Sequence, residues 1–220
     1  MKKVCKSEII KDTCPQLVLG VISCSIVNSE TSDLLWAEMD ALVHNISKNY
    51  KLEEINKRVE IQATRLAYKK LGKDPNRYRP SAEALCRRIV RDIPIYKVNT
   101  LVDIVNVVSI KTGFSIGAFD QSKVEGDLSL DRGNTNDVFD AIGRGVLNID
   151  GLPVYRDEIG GIGTPTSDNE RTKIGLETTE LLVIINGYSG EAGISEAISM
   201  SVDLLTKYAK MNNLNTAIIH

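Results

Sequence analysis

Residues 156–171, RDEIGGIGTPTSDNER, hold the densest set of groups in this chain that could do chemistry. Gly160, Gly161 and Gly163 carry no side chains, so the backbone there can come close to a ligand and present N–H donors to it. Thr164, Thr166 and Ser167 add hydroxyls, and Asp157, Glu158, Asp168 and Glu170 add acceptors. Arg171 can clamp a carboxylate or a phosphate through its planar fork of donors. The same composition also describes a tight glycine turn beside an ordinary polar loop, and the pattern alone leaves both readings open.

A second polar group stands out for its surroundings. Leu101, Val102, Ile104, Val105 and Val108 outline an apolar cylinder, in which Asp103 and Asn106 are the polar positions, as in a mostly buried helix. Asn99 or Thr100 can cap its start, and Gly113 can end it in the left-handed conformation. A short strand-like piece, 115–119, follows, with Gly117 where a side chain would otherwise stand. An unsatisfied amide inside a protein costs about 1–3 kcal/mol, so Asn106 either pairs within the core or serves a site.

Other familiar chemistries do not emerge. His44 and His220 are the two histidines, and they support no convincing Ser-His-Asp or Cys-His pair. No HExxH, P-loop or GxGxxG sequence occurs. Cys5, Cys14, Cys24 and Cys86 form no CxxC and have no His beside them, which points to reduced thiols rather than zinc ligands or a disulfide frame. The sequence therefore assigns no catalytic residue, no metal and no cofactor.

Charge gives a further lead through its placement. The 27 Lys and Arg against 29 Asp and Glu leave a net charge of −2, no advertisement for a nucleic acid. Residues 69–97 differ, because nine basic side chains there face only Asp74, Glu83 and Asp92. Arg87, Arg88 and Arg91 are the candidates for phosphate contacts, and a solvated helix surface is the competing reading.

These groups need elements to position them. At 220 residues, 42% hydrophobic and 25% charged, the chain has the composition of a globular protein with length enough for one packed core. No apolar run reaches the about 18 residues of a membrane span. Charges in the opening MKKVCKSEIIKD argue against a signal peptide, so a cytoplasmic protein is expected. Residues 16–27 read as a strand, and 33–47 as a helix burying Leu34, Leu35, Met39 and Val43. Residues 52–71 read as a second helix with a stripe of Leu52, Ile55, Val59, Ala63 and Leu66. Glu53–Lys57 and Glu54–Arg58 are its expected ion pairs. Pro80 and Ser81 open a third helix over 82–90.

Past residue 115 the chain turns to short strand-like pieces, at 127–130, 137–142, 146–149 and 152–155, punctuated by glycines as in a β-meander. ELLVII at 180–185 predicts a central strand, and a helix over 195–211 is expected to finish the chain. Clusters of strands among helices predict an α/β fold with a mixed sheet.

Residues 98–120, with Arg79-Pro80-Ser81 before them and IGGIGTPTSDNER after, resemble the B3/B4 domain of the phenylalanyl-tRNA synthetase beta chain. The resemblance is closer still to the stand-alone proteins made of that domain. Asn99, Val102, Asp103, Asn106, Gly113, Gly117, Ala118, Phe119 and Asp120 hold the pattern in order, and the likeness runs over about residues 79–188. It implies a three-layer β/β/α sandwich in a single domain, 1–220, with an N-terminal strand and helices before residue 79 and a C-terminal helix over 194–212. The implied partner is tRNA or its aminoacylated end. The implied activity is hydrolysis, in trans, of the ester joining a wrong amino acid to the tRNA, which makes a deacylase and not a tRNA ligase. A non-catalytic module binding RNA, an amino acid or a nucleotide is the alternative.

By the same resemblance Asn106 is the polar helix position of an editing pocket and Gly160 and Gly161 its backbone floor, with Gly117, Gly163 and Thr164 completing it. The synthetase pattern carries a His where Gly117 stands and an acidic residue near Val183 or Ile184. Asp157, Glu158 and Asp168 are the candidates to supply an acid or position a water in their place.

Overall fold

The computed structural model describes residues 2–220. One sheet runs β1 (Val4–Lys6), β4 (Leu128–Arg132), β7 (Pro153–Arg156), β8 (Gly161–Gly163). The other runs β10 (Asn212–Ile219), β2 (Val18–Ser25), β9 (Glu180–Gly187), β3 (Ser115–Asp120). β1 pairs with β4 in parallel, Val4 opposite Leu128, while the other neighbours are antiparallel, so the first sheet is mixed and the second is antiparallel. The helices are α1 (Glu8–Thr13), α2 (Asp33–Asn49), α3 (Val59–Leu71), α4 (Ser81–Ile89), α5 (Thr100–Thr112) and α6 (Ile194–Ala209).

Alternation along the strands explains the layers. Ile22, Val183 and Ile185 pack into the core shared with α2, α4, α5 and α6. Their neighbours Leu19, Val21, Leu182 and Ile184 point the other way, into the core between the two sheets. A strand buried on both faces must be largely apolar, and β9 is so over residues 181–185; it sits between β2 and β3 as a central strand. The result is a β/β/α sandwich.

Local chemistry sets α5. Asn99 Oδ1 accepts from the Val102 N–H at 3.1 Å, and Gly113 ends the helix at φ 90°. The buried Asp103 carboxylate takes the Thr31 hydroxyl and the Val98 amide, which fastens the start of the helix.

Several expectations need correction. The helix foreseen over 52–71 breaks at Arg58, whose ψ of 133° separates a 3-10 turn, Ile55–Lys57, from α3. The buried face of α3 is Ile61, Ala67, Tyr68 and Leu71, while Val59 and Leu66 face solvent. Neither expected ion pair forms among the described residues. Arg58 instead donates to the carbonyls of Ile110 and Lys111, each at 2.8 Å, at the electronegative end of α5. An exposed i,i+4 pair, worth about 0.3–0.5 kcal/mol, does not compete with that. In α2 Leu34 is exposed and Ile46 is buried. No meander forms: β5 (Asp140–Ala141) and β6 (Gly145–Val146) pair with each other, Ala141 also bridging Asn169, and β4 pairs with β7 across them. The last element is not α6 but β10, which follows a left-handed Lys210 and adds to the edge of β2, Ile219 opposite Leu19.

Candidate functional site

α5 turns one face toward the free edge of β3. Val102, Val105, Asn106 and Ser109 fall at i, i+3, i+4 and i+7, the spacing of a single helix face. With Val98, Ser81 at the start of α4, Ile116 and Ala118 of β3, Ile142 of the β5–β6 hairpin and Ile174, they line a cleft of about 440 Å³. Asp168 and Lys173 complete its lining. Sites for small molecules have this character, mostly apolar with a few convergent polar groups.

Three polar groups matter inside it. The Asn106 amide makes no hydrogen bond among the described residues and faces the cleft. Asp168 sits over the edge of β3, where its Oδ2 accepts the Ala118 N–H at 3.4 Å. Its Oδ1 accepts no hydrogen bond from the described residues. Burial pushes the Asp168 carboxyl up to about 7, and the Ala118 amide offsets that only in part. The Lys173 ammonium is paired with Glu170.

The other candidates fall elsewhere. On β3 the side chains alternate, so Ile116 and Ala118 face the cleft and Gly117 faces the Phe119 ring. A Cβ on Gly117 would lie 2.8 Å from that ring and 3.9 Å from Asp168 Oδ1. The cleft is not lined by Gly160 or Gly161: the Gly160 amide donates to Asp157 Oδ1 at 3.0 Å, and Gly161 pairs with Arg156. Gly163 supports Asp168 from behind, through a β-bridge. Thr164 is buried, its hydroxyl donating to the Ser167 carbonyl while accepting the amides of Thr166 and Ser167, which closes the turn locally. Asp157 is taken up by both terminal nitrogens of Arg171, and Glu158 is exposed. Of the three candidate acids, Asp168 is the one in the cleft.

Arg87, Arg88 and Arg91 do converge, with Arg77, Arg79 and Arg144, on a second groove. A single carboxylate, the buried Glu83, lies beneath, 3.8 Å from Arg87 and 4.0 Å from Arg79. Arg88 is held over the Tyr96 ring and donates to the Pro94 carbonyl at 2.8 Å. The Arg91 and Arg144 guanidinium groups have no hydrogen bond or ion pair among the described residues. The groove adjoins the cleft, because α4 and the hairpin serve both: Ser81 and Ile142 line one, Arg87 and Arg144 the other. Sequence reasoning missed Arg144, an isolated cation far along the chain from Arg87 and Arg91, and Lys173, which stands just past the polar segment 156–171.

Residues 63–217 match the model of the B3/4 domain family, and the chain belongs to that family. Among solved structures it is similar to an N-terminal fragment of the phenylalanyl-tRNA synthetase beta-subunit from Pyrococcus horikoshii, at 14% identity and a TM-score of 0.46. That likeness covers 95% of this chain and 50% of the other, so the chain spans half the length of the structure it matches. No curated protein matches it. Among the described residues no helix is long and apolar enough to cross a membrane, and no group of three or more His, Cys, Asp or Glu could hold a metal ion.

Proposed function

We propose that this B3/4 protein binds tRNA in the cytoplasm, with the phosphates in the arginine groove and the aminoacylated 3′ end in the cleft, and hydrolyses a mischarged ester there. The observation that carries the reading is the groove itself. Six guanidinium groups share it with one carboxylate, and it opens beside an apolar cleft of amino-acid size. Arginine forks suit phosphate oxygens, and such contacts supply most sequence-independent affinity for nucleic acid.

The chemistry asked of the cleft is modest. Water attacks the ester carbonyl, a new C–O bond forms, the bond to the ribose oxygen breaks, and that oxygen takes up the proton. Asn106, with an unpaired amide, is suited to hold the water or the carbonyl oxygen, and a well-aimed donor of that kind contributes about a hundredfold or more. No covalent acyl-enzyme is invoked, because no Ser or Cys is paired with a His among the described residues.

The reading is tested by incubating the protein with a panel of misacylated tRNAs and following loss of the ester. Release of amino acid above the buffer rate supports it. No release at protein concentrations near that of the tRNA removes the catalytic part and leaves a binding module, the second reading. That second reading draws its support from Gly117, which offers no side chain where the synthetase pattern has a His.

A further inference from the structure

We infer that the cleft recognises a primary ammonium group carried on an apolar ligand, with Asp168 as the partner of that ammonium and the Asn106 carbonyl oxygen as a second acceptor. The inference deepens the reading above, since the ligand it describes is the α-ammonium and side chain of an aminoacyl group, but the geometry that carries it contains no RNA.

The argument starts from the walls. Val98, Val102, Val105, Ile116, Ile142 and Ile174 make half of the lining and Ala118 adds to it, so an apolar body fits. Asp168 is an exception to that lining, and one of its oxygens, Oδ2, is already engaged by the Ala118 amide. Oδ1 is left without a protein donor. A carboxylate in an apolar surround is costly when charged, unless a cation is brought to it. The cations nearby are committed elsewhere: Lys173 to Glu170, and Arg171 through two nitrogens to Asp157. The ligand must bring the charge.

Acceptor number selects the kind of cation. A guanidinium is best met by two parallel acceptors on one carboxylate, and Asp168 has a single oxygen free. A metal ion needs several oxygen or nitrogen ligands, and no such cluster exists among the described residues. A primary ammonium is a compact charge with three donors, satisfied by one carboxylate oxygen, one amide oxygen and a water.

Besides Lys173, the titratable group facing Asp168 is Tyr155 of β7, whose hydroxyl donates to Asn186 Oδ1 at 2.6 Å and stays protonated. Tyr155 keeps its proton near neutrality, so the Asp168 carboxyl sets the pH response of binding. A group with a pKa of about 7 is mostly protonated at pH 6 and mostly ionised at pH 8. Ammonium affinity is then expected to rise up to about tenfold across that interval.

The test uses phenylalaninol and leucinol, amines that stay charged through this range, against the corresponding alcohols without the amine. Binding to the full chain is measured by calorimetry or by NMR shifts. The expected result is at least about tenfold preference for the amine at pH 8, lost in Asp168→Asn and kept, with weaker binding overall, in Asn106→Ala. Circular dichroism checks that both variants are folded. Equal binding of amine and alcohol, no binding of either, or a preference unchanged in Asp168→Asn overturns the inference. Amine preference without any tRNA binding overturns the proposed function and leaves this inference standing. Deacylation of tRNA without amine preference does the reverse.

Discussion

A Cβ on Gly163 would stand 2.7 Å from Asp168 Oδ1 and 2.6 Å from two atoms of the Phe119 ring. One missing side chain thus makes room both for the acid of the cleft and for a ring that closes the core between the sheets. Gly163→Ala is expected to cost about 1–3 kcal/mol by overpacking and to displace Asp168. For Gly161→Ala the nearest atoms belong to the side chains of Phe139 and Val154, at 3.1 Å, and the substitution is expected to cost less. Urea denaturation of the two variants side by side checks the order.

Asp168 also predicts a pH dependence of stability. Its folded pKa, about 7, lies above the value of about 3.9 in an unfolded chain. Between those values the native protein holds a proton that the unfolded chain has released, so stability falls as pH rises through this window. Above about pH 7 the loss is complete, and below about pH 4 it is absent. Asp168→Asn cannot ionise. It should raise Tm relative to the wild type at pH 8 and show no such gain near pH 4, with about 2–4 °C for each kcal/mol. A gain that is equal at both pH values counts against the raised pKa.

How far these features could be read in advance depends on where the partners lie. Asn99 and Gly113 announce the ends of α5 because a cap is local chemistry. β9 announces itself because burial on both faces leaves an unbroken apolar run. The break at Arg58 was not legible, since the carbonyls that capture its guanidinium belong to Ile110 and Lys111, on another helix. β10 was not legible either: Asn212, Asn213 and Asn215 conceal a strand that exists only through β2. In the cleft, Asn106 and Asp168 both stood in stretches singled out by residue type. Choosing Asp168 over Asp157 and Glu158 required knowing that Arg171 occupies one and solvent the other.

Asp157 is predicted to be a structural acid. Burial alone would raise its pKa, but Arg171 and the amides of Glu125, Gly160 and Ile159 together hold it below the usual carboxylate range. The stability it contributes is present above about pH 4 and lost as pH falls through its folded value. Asp157→Ala leaves Arg171 and these amides without their acceptor and is expected to cost about 2–4 kcal/mol. Glu158→Ala, at an exposed position, should stay within about 0.5 kcal/mol of the wild type. Thermal melts of both at pH 7 distinguish the two neighbours.

The arginine groove makes a sharper charge-reversal test than its sequence suggested. Arg87 and Arg88 have internal partners, so changing them disturbs packing as well as charge. The side chains of Arg91 and Arg144 have none among the described residues. Arg91→Glu with Arg144→Glu should leave Tm nearly unchanged, weaken tRNA binding by at least about tenfold at low salt, and flatten the dependence of log Kd on log salt. Unaltered affinity in the folded double variant means that RNA does not use the groove.

The placement of β2 has a consequence for how the protein is made. Its two partners, β9 and β10, begin at Glu180 and Asn212, so Val18 waits for Gly187 and Leu19 for Ile219. During synthesis the apolar stretch Val18–Ser25 leaves the ribosome long before either partner exists. Sheets closed by contacts this distant fold slowly, and an unpaired β-branched strand invites association with other chains while it waits. The stretch Val18–Ser25 therefore stays uncovered until Glu180–Gly187 has emerged, about 160 residues of synthesis later.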